Sequence, residues 1–308
     1  MRRTIIRNSE DIQRVTIQEA IRKFLRHCKV RNLAEQTIKY YTEDCNYFAE
    51  RVDAEYIDEV NYEVMEDFIF QELEKGKKVS SLNSRIRGLR VFFNFCAERD
   101  YMNGFTFALL KQDKEIKEPY TDAELQRLLA RPRTASWVEW RTWAAVNYMV
   151  ATGNRVTTLL NIRIRDVNFT ENTIYLSTVK SRRQQIVPLS KALKAVLKDY
   201  LKTWEHNIDD YLFPSYEGNQ LARRSFQGAL MRYNASRGVS KTSAHLFRHT
   251  FAKNFIMAGG GMVQLQTLLG HTTMEMSRHY VNIYGLDLQK NYEKLNPLDT
   301  FLKRTADA

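Results

Sequence analysis

The chain has 308 residues, 44% of them hydrophobic and 12% aromatic, with a formal net charge of +11 and a pI of about 9.5. A chain of this length and makeup buries a sizeable core, which excludes general disorder and leaves room for two ordinary domains. No window reaches the roughly 18 apolar residues of a membrane span, and the opening MRRTIIRNSED lacks the apolar centre of a signal peptide, so a cytoplasmic protein with no membrane partner is expected.

From Thr16 to about Asp100, apolar residues recur at helical spacing in IQEAIRKFLRHC, TIKYYTEDCNYFAERV, VMEDFIFQELEKG and SLNSRIRGLRVFFNFCAERD. This predicts four helices in a compact bundle. The stretches LAEQT and VSSLN supply turn and capping chemistry between them. The chain's 3 cysteines, Cys28, Cys45 and Cys96, sit singly in these apolar patterns. That is the pattern of buried thiols, not of a disulfide framework or a cysteine zinc site. Residues 1–110 hold 18 Lys+Arg and 18 Asp+Glu, unevenly placed. Acidic residues cluster between Glu63 and Glu74, and Lys77, Lys78, Arg85, Arg87 and Arg90 follow on the next helix. That helix is a candidate groove or phosphate reader; a solvated charged face explains it equally well.

In MNGFTFALLKQDKEIKEPYTDAEL, Gly104 and Pro119 bracket a charged, weakly periodic linker before a helix capped by Thr121 or Asp122. The predicted organisation is an N-terminal helical domain over residues 1–110 and a second domain over 117–308. Of the 47 basic and 36 acidic residues, 29 and 18 fall after residue 110, so the whole positive excess belongs to the later part. Such an excess suggests a polyanionic partner. The second domain reads as helical except for IRIRDVNFTENTIYLSTVKSRRQQIVPLS, which alternates apolar and polar residues. Turn residues at Thr170-Glu171-Asn172 and at Lys180-Ser181-Arg182-Arg183 divide it into about three antiparallel strands. The expected fold class is mainly α with one small antiparallel sheet: a four-helix domain followed by an α+β domain.

Four of the 6 histidines, His245, His249, His271 and His279, crowd into HLFRHTFAKNFIMAGGGMVQLQTLLGHTTMEMSRHY. His245 and His249 share a helix face, but the metalloprotease pattern needs Glu after the first histidine and Leu246 stands there. No carboxylate cluster near these histidines supplies oxygen ligands either, so no metal is expected. Metal-free phosphoryl transfer fits better. Charge developing on nonbridging phosphate oxygens must meet fixed cations, for which arginine forks are best suited. Arg248 lies one turn after His245, Arg155 follows the punctuating Gly153, and Lys180 stands at the tip of the predicted hairpin. Tyr280 is the nucleophile candidate, given an activating base or cationic surroundings. Tyr284, one turn further on, is its rival, and among 16 tyrosines most simply pack.

Arg155, Lys180, the His245-x-x-Arg248 pair, Leu269-Gly270-His271 and Tyr280 stand in the order and at the spacing of the tyrosine recombinases. The chain thus resembles the phage integrase family, which includes the Xer-type resolvases, over nearly its whole length. It is similar to shorter members without an additional arm-binding domain. The resemblance implies a core-binding domain first and a catalytic domain second. Tyr280 would attack phosphorus to form a 3′-phosphotyrosyl link, and Arg155 and Arg248 would clamp the nonbridging oxygens. His245 would act as general base, Lys180 would protonate the 5′-oxygen and His271 would hydrogen-bond the phosphate. It further implies double-stranded DNA with an inverted-repeat core site as partner, a homo-oligomer that is a tetramer on DNA, and no cofactor. His249 is then a packing or orienting residue and His279 a neighbour of the nucleophile. Where the family usually has an apolar residue before the first arginine and an acidic one three positions after it, this chain has Asn154 and Thr158, so Arg155 is expected to be held by a different partner. Lys180 lacks flanking glycines, and Arg182 and Arg183 are its alternatives.

Three functions suit these residues: site-specific recombination, type IB topoisomerase-like relaxation, and DNA binding without cleavage. The C-terminal segment distinguishes the first two. There Asn296 and Pro297 start a helix whose Leu298, Phe301 and Leu302 form one apolar stripe. Docked on a neighbouring protomer, as the resemblance implies, it couples sites in an assembly; docked on its own domain, it does not.

Overall fold

The computed structural model describes residues 14–112, 118–176 and 185–270, and the chain divides into two units, Met1–Glu115 and Ile116–Ala308. The first unit holds α1 (Ile17–Val30), α2 (Glu35–Ala49), α3 (Tyr62–Glu74) and α4 (Val79–Ala97), the four helices that the periodicity predicts. The Thr16 hydroxyl caps α1 by accepting from the Glu19 amide, and Asn61 caps α3 in the same way through Val64. LAEQT and VSSLN do not supply the caps expected of them. α2 begins after Ala34 and α4 after Lys78, neither with a side-chain cap bond. The chain reverses just before each, at Asn32 (φ 51°) and Gly76 (φ 73°), so left-handed backbone does the turning. Phe24, Phe48, Phe68 and Phe92 meet at the centre, where Phe48 and Phe68 pack edge to face at 5.1 Å. Cys28, Cys45 and Cys96 are all buried in this core. Burial pushes all three thiols up, Cys96 to about 12.

In the second unit, α5 (Asp122–Leu129) is capped by Thr121, whose hydroxyl accepts from the Glu124 amide while the Glu124 carboxylate accepts from the Thr121 amide. The central helix is α6 (Trp137–Thr152), with Trp143, Ala144, Ala145, Val146, Tyr148 and Met149 all buried. A helix that is apolar on most sides must be enclosed. A one-turn helix, α7 (Val156–Leu159), leads to the sheet of β1 (Val167–Asn168), β2 (Thr173–Leu176) and β3 (Gln185–Pro188). Its order is β1-β2-β3, antiparallel throughout, with Ile174 opposite Val187 and Leu176 opposite Gln185. Then come α8 (Lys191–Leu201), α9 (Arg223–Ser236), α10 (Ala244–Met257) and α11 (Met262–Leu269). The fold is mainly helical with one three-stranded sheet, as the sequence patterns predict. No helix among the described residues is long and apolar enough to cross a membrane.

Candidate active site

α6 ends where the site begins. Gly153 caps it in the left-handed region at φ 63°, and the next residues, Asn154 and Arg155, lead into α7. A Cβ on Gly153 would lie 2.4 Å from Phe251 Cδ1 and 2.8 Å from Leu269 Cδ2, so only glycine lets α10 and α11 approach this closely. Asn154 is buried, and its amide donates to the Tyr148 hydroxyl at 2.6 Å. This departure from the family pattern thus fastens the turn to α6 from within. Arg155, half-buried, takes the extended conformation that starts α7.

α10 carries the second arginine. Tyr120 stacks on Phe247 at 4.4 Å, and the Tyr120 amide donates to the Thr250 hydroxyl, which itself donates to Leu246 O. The buried face of α10 is therefore held through residues on both sides of Arg248. Arg248 is 2% exposed. Its Nη1 donates to Gly153 O at 2.9 Å and its Nη2 to Leu269 O at 2.8 Å. A buried charge is tolerable only when it is hydrogen-bonded, and two backbone acceptors also fix the plane of the fork. His245, one turn earlier, is exposed, and its ring meets that of His249 edge on at 4.7 Å.

The described residues therefore gather the Gly153–Arg155 turn, Arg248 and the end of α11. Lys180, His271 and Tyr280 lie outside the described residues, as do Arg182, Arg183, His279, Tyr284 and the segment from Asn296. Among the described residues, no three His, Cys, Asp or Glu side chains group so as to hold a metal ion.

The five basic residues singled out in the first unit divide. Lys77 and Lys78 precede α4 instead of lying on it as expected, because the helix starts only at Val79; they and Arg87 are exposed. Arg85 pairs with the buried Asp44 at 3.3 Å and lies over the Tyr47 ring at 3.5 Å, while Arg90 Nε donates to Phe107 O at 2.8 Å. Arg85 and Arg90 thus brace their own unit.

A further basic surface escaped the sequence patterns. α9 exposes Arg223, Arg224 and Arg232. The signal was there to find: no Asp or Glu occurs from Gly218 to Met274, a stretch that also contains Arg237, Lys241, Arg248 and Lys253.

Comparison with known proteins agrees with this architecture. A family model described as "Phage integrase family" matches residues 120–285, and one described as "Phage integrase, N-terminal SAM-like domain" matches residues 21–100. The chain is 26% identical over 282 residues to tyrosine recombinase XerD of Listeria monocytogenes serotype 4b, covering 87% of this chain and 94% of the relative. Tyrosine recombinase XerC of Oceanobacillus iheyensis is also 26% identical, over 281 residues, with 87% and 92% covered. Among solved structures, the Tn1549 transposon integrase in complex with transposon right end DNA aligns with a TM-score of 0.76 at 21% identity, over 91% of this chain and 99% of that one. The XerH site-specific recombinase bound to difH substrate aligns with a TM-score of 0.65 at 20% identity, over 90% and 84%.

Proposed function

Since the chain belongs to the phage integrase family, as a tyrosine recombinase with Xer-like relatives, we propose that it is a site-specific recombinase that cuts and rejoins DNA strands for integration, excision or resolution. The observation that carries this reading furthest is Arg248, a buried guanidinium set by two backbone carbonyls beside the turn that bears Arg155. Cations fixed in advance need no reorganisation when charge develops on a phosphate, and that preorganisation is the main source of electrostatic catalysis.

In the proposed reaction the Tyr280 hydroxyl oxygen bonds to phosphorus as the bond to the 5′-oxygen breaks. His245 takes the phenolic proton, and Lys180 gives one to the departing 5′-oxygen. Arg155, Arg248 and His271 hold the nonbridging oxygens. Attack by a 5′-hydroxyl on the phosphotyrosine reverses these steps and joins a new strand. No cofactor enters, because the phosphodiester energy is kept in the covalent link. Residues 117–308 would contain this chemistry and residues 1–110 would grip the duplex, with Lys77, Lys78 and Arg87 available to phosphates. α9 would add a second, more basic contact. The duplex would be an inverted-repeat core site held by an assembly of protomers, a tetramer when two sites are synapsed, inside the cytoplasm. DNA-bound relatives such as the Tn1549 integrase and XerH support the choice of partner.

The test is a nicked suicide substrate carrying imperfect inverted repeats, incubated in excess EDTA. A covalent adduct whose DNA maps to Tyr280 is expected. DNA on Tyr284 would overturn the nucleophile assignment, loss of cleavage with binding intact would reveal a metal requirement, and supercoil relaxation without strand exchange would favour the topoisomerase reading.

A further inference from the structure

Among the described residues, two side chains from other elements donate hydrogen bonds to the last turn of α11, Arg248 and Gln185. Gln185 is the first residue of β3 and stands opposite Leu176, the last residue of β2. Its Nε2 donates to Thr267 O at 2.8 Å and to Leu268 O at 2.7 Å. Arg248 takes the next carbonyl, Leu269 O. The final carbonyls of a helix lack the usual partner one turn on; Thr267 O also accepts from the Gly270 amide at 3.1 Å, and Gln185 of β3 and Arg248 of α10 between them donate to all three in succession. The glutamine also fits closely. Gly270 ends the helix at φ 60°, and a Cβ there would fall 2.7 Å from Gln185 Oε1, so the amide occupies the space that the glycine leaves.

Building on the recombinase reading, we propose that Gln185 is a positioning residue for strand cleavage: it fixes the last turn of α11, whose Leu269 carbonyl in turn orients the guanidinium of Arg248. Gln185 sets the carbonyl, the carbonyl sets the plane of the arginine fork, and the fork meets the nonbridging oxygens. The amide is well suited to this because one nitrogen supplies two donors at a fixed angle to an oxygen that packs on Gly270. Its bonds lie partly in solvent. Water can replace them without unfolding the unit, though not their geometry.

The experiment compares wild type, Gln185→Met, which keeps the length and loses both donors, and Gln185→Glu, which faces the carbonyls with a charge. Single-turnover cleavage of the suicide substrate at saturating DNA is measured together with DNA affinity and melting temperature. Both variants are expected to cleave about 10- to 100-fold more slowly, the cost of a small misplacement of a catalytic group, with affinity and melting temperature unmoved. In an Arg248→Lys background, Gln185→Met should add less than about twofold, because two residues acting through one contact are not additive. If Arg248→Lys does not fold, a scissile methylphosphonate serves instead: with one charged oxygen absent, the Gln185→Met defect should shrink. Equal slowing in both backgrounds or on both substrates would overturn the route through Arg248. A rate loss that follows melting temperature would reduce Gln185 to a structural prop. A wild type that traps no DNA would remove the recombinase reading and this assignment together; a wild type that traps DNA no faster than Gln185→Met would remove this assignment alone.

Discussion

Gly153 governs how closely the chain segments bearing Arg155 and Arg248 can meet. Alanine there is expected to destabilise the second unit by about 2–4 kcal/mol, of which about 1 comes from left-handed backbone and the rest from overpacking against Phe251 and Leu269. Gly218, at φ 81° and with nothing within 4 Å of where a Cβ would stand, isolates the backbone part. All four tryptophans, Trp137, Trp140, Trp143 and Trp204, belong to this unit, so their emission during urea unfolding reads it directly. Gly153→Ala shifting no further than Gly218→Ala would show that the contact relaxes freely. The sequence marks Gly153 as punctuation before a helix, and spacing marks the two arginines. It does not reveal the crowding, because Phe251 and Leu269 lie far along the chain. Nor does it reveal that Asn154 turns inward to Tyr148, a matter of tertiary contact alone.

At the level of elements, helices and strands were legible because burial leaves a period of 3.6 or 2 in the side chains. What an element does with a single polar residue was not. Glu72, in the acidic run of α3, has a side chain only 1% exposed, accepting from the Tyr47 hydroxyl of α2 and from Lys75 at 3.0 Å. Burial pushes its carboxyl up, but the bonds from Tyr47 and Lys75 and the charges of Lys75 and Arg51 prevail, and its pKa is held below the ordinary value. A lowered folded pKa contributes stability above the unfolded value and loses it as pH falls through the folded one. Glu72→Gln should therefore cost about 1–3 kcal/mol at pH 7, the scale of a charged hydrogen bond, with the difference closing below about pH 4. Far-UV circular dichroism reads this transition, and the tryptophan signal of the other unit should not move. A difference that stayed constant with pH would show that the charge of Glu72 contributes nothing. α9 was missed for the opposite reason. Its arginines are ordinary residues in an ordinary helix, and the acid-free stretch around them becomes a surface only once Phe226, Ala229, Leu230 and Tyr233 are seen to be buried.

For the whole molecule, the charge excess predicts how DNA is held. Each neutralised phosphate contributes a slope of roughly −0.9 to log affinity against log salt. Arg223→Gln with Arg224→Gln should make that slope shallower by about 1.8 if both reach phosphates. An unchanged slope in titrations of the full chain would move the contact away from α9. The buried thiols have a different consequence. Every cysteine lies in the first unit's core, held protonated at neutral pH, and residues 117–308 contain none. An oxidant therefore finds no exposed thiolate to attack, and storage without reductant is expected to leave the three thiols reduced. By the same chemistry, a cysteine introduced at exposed Tyr216 becomes the single address for a maleimide dye, and donor- and acceptor-labelled copies mixed on DNA would report, by energy transfer, whether copies of the chain come together there.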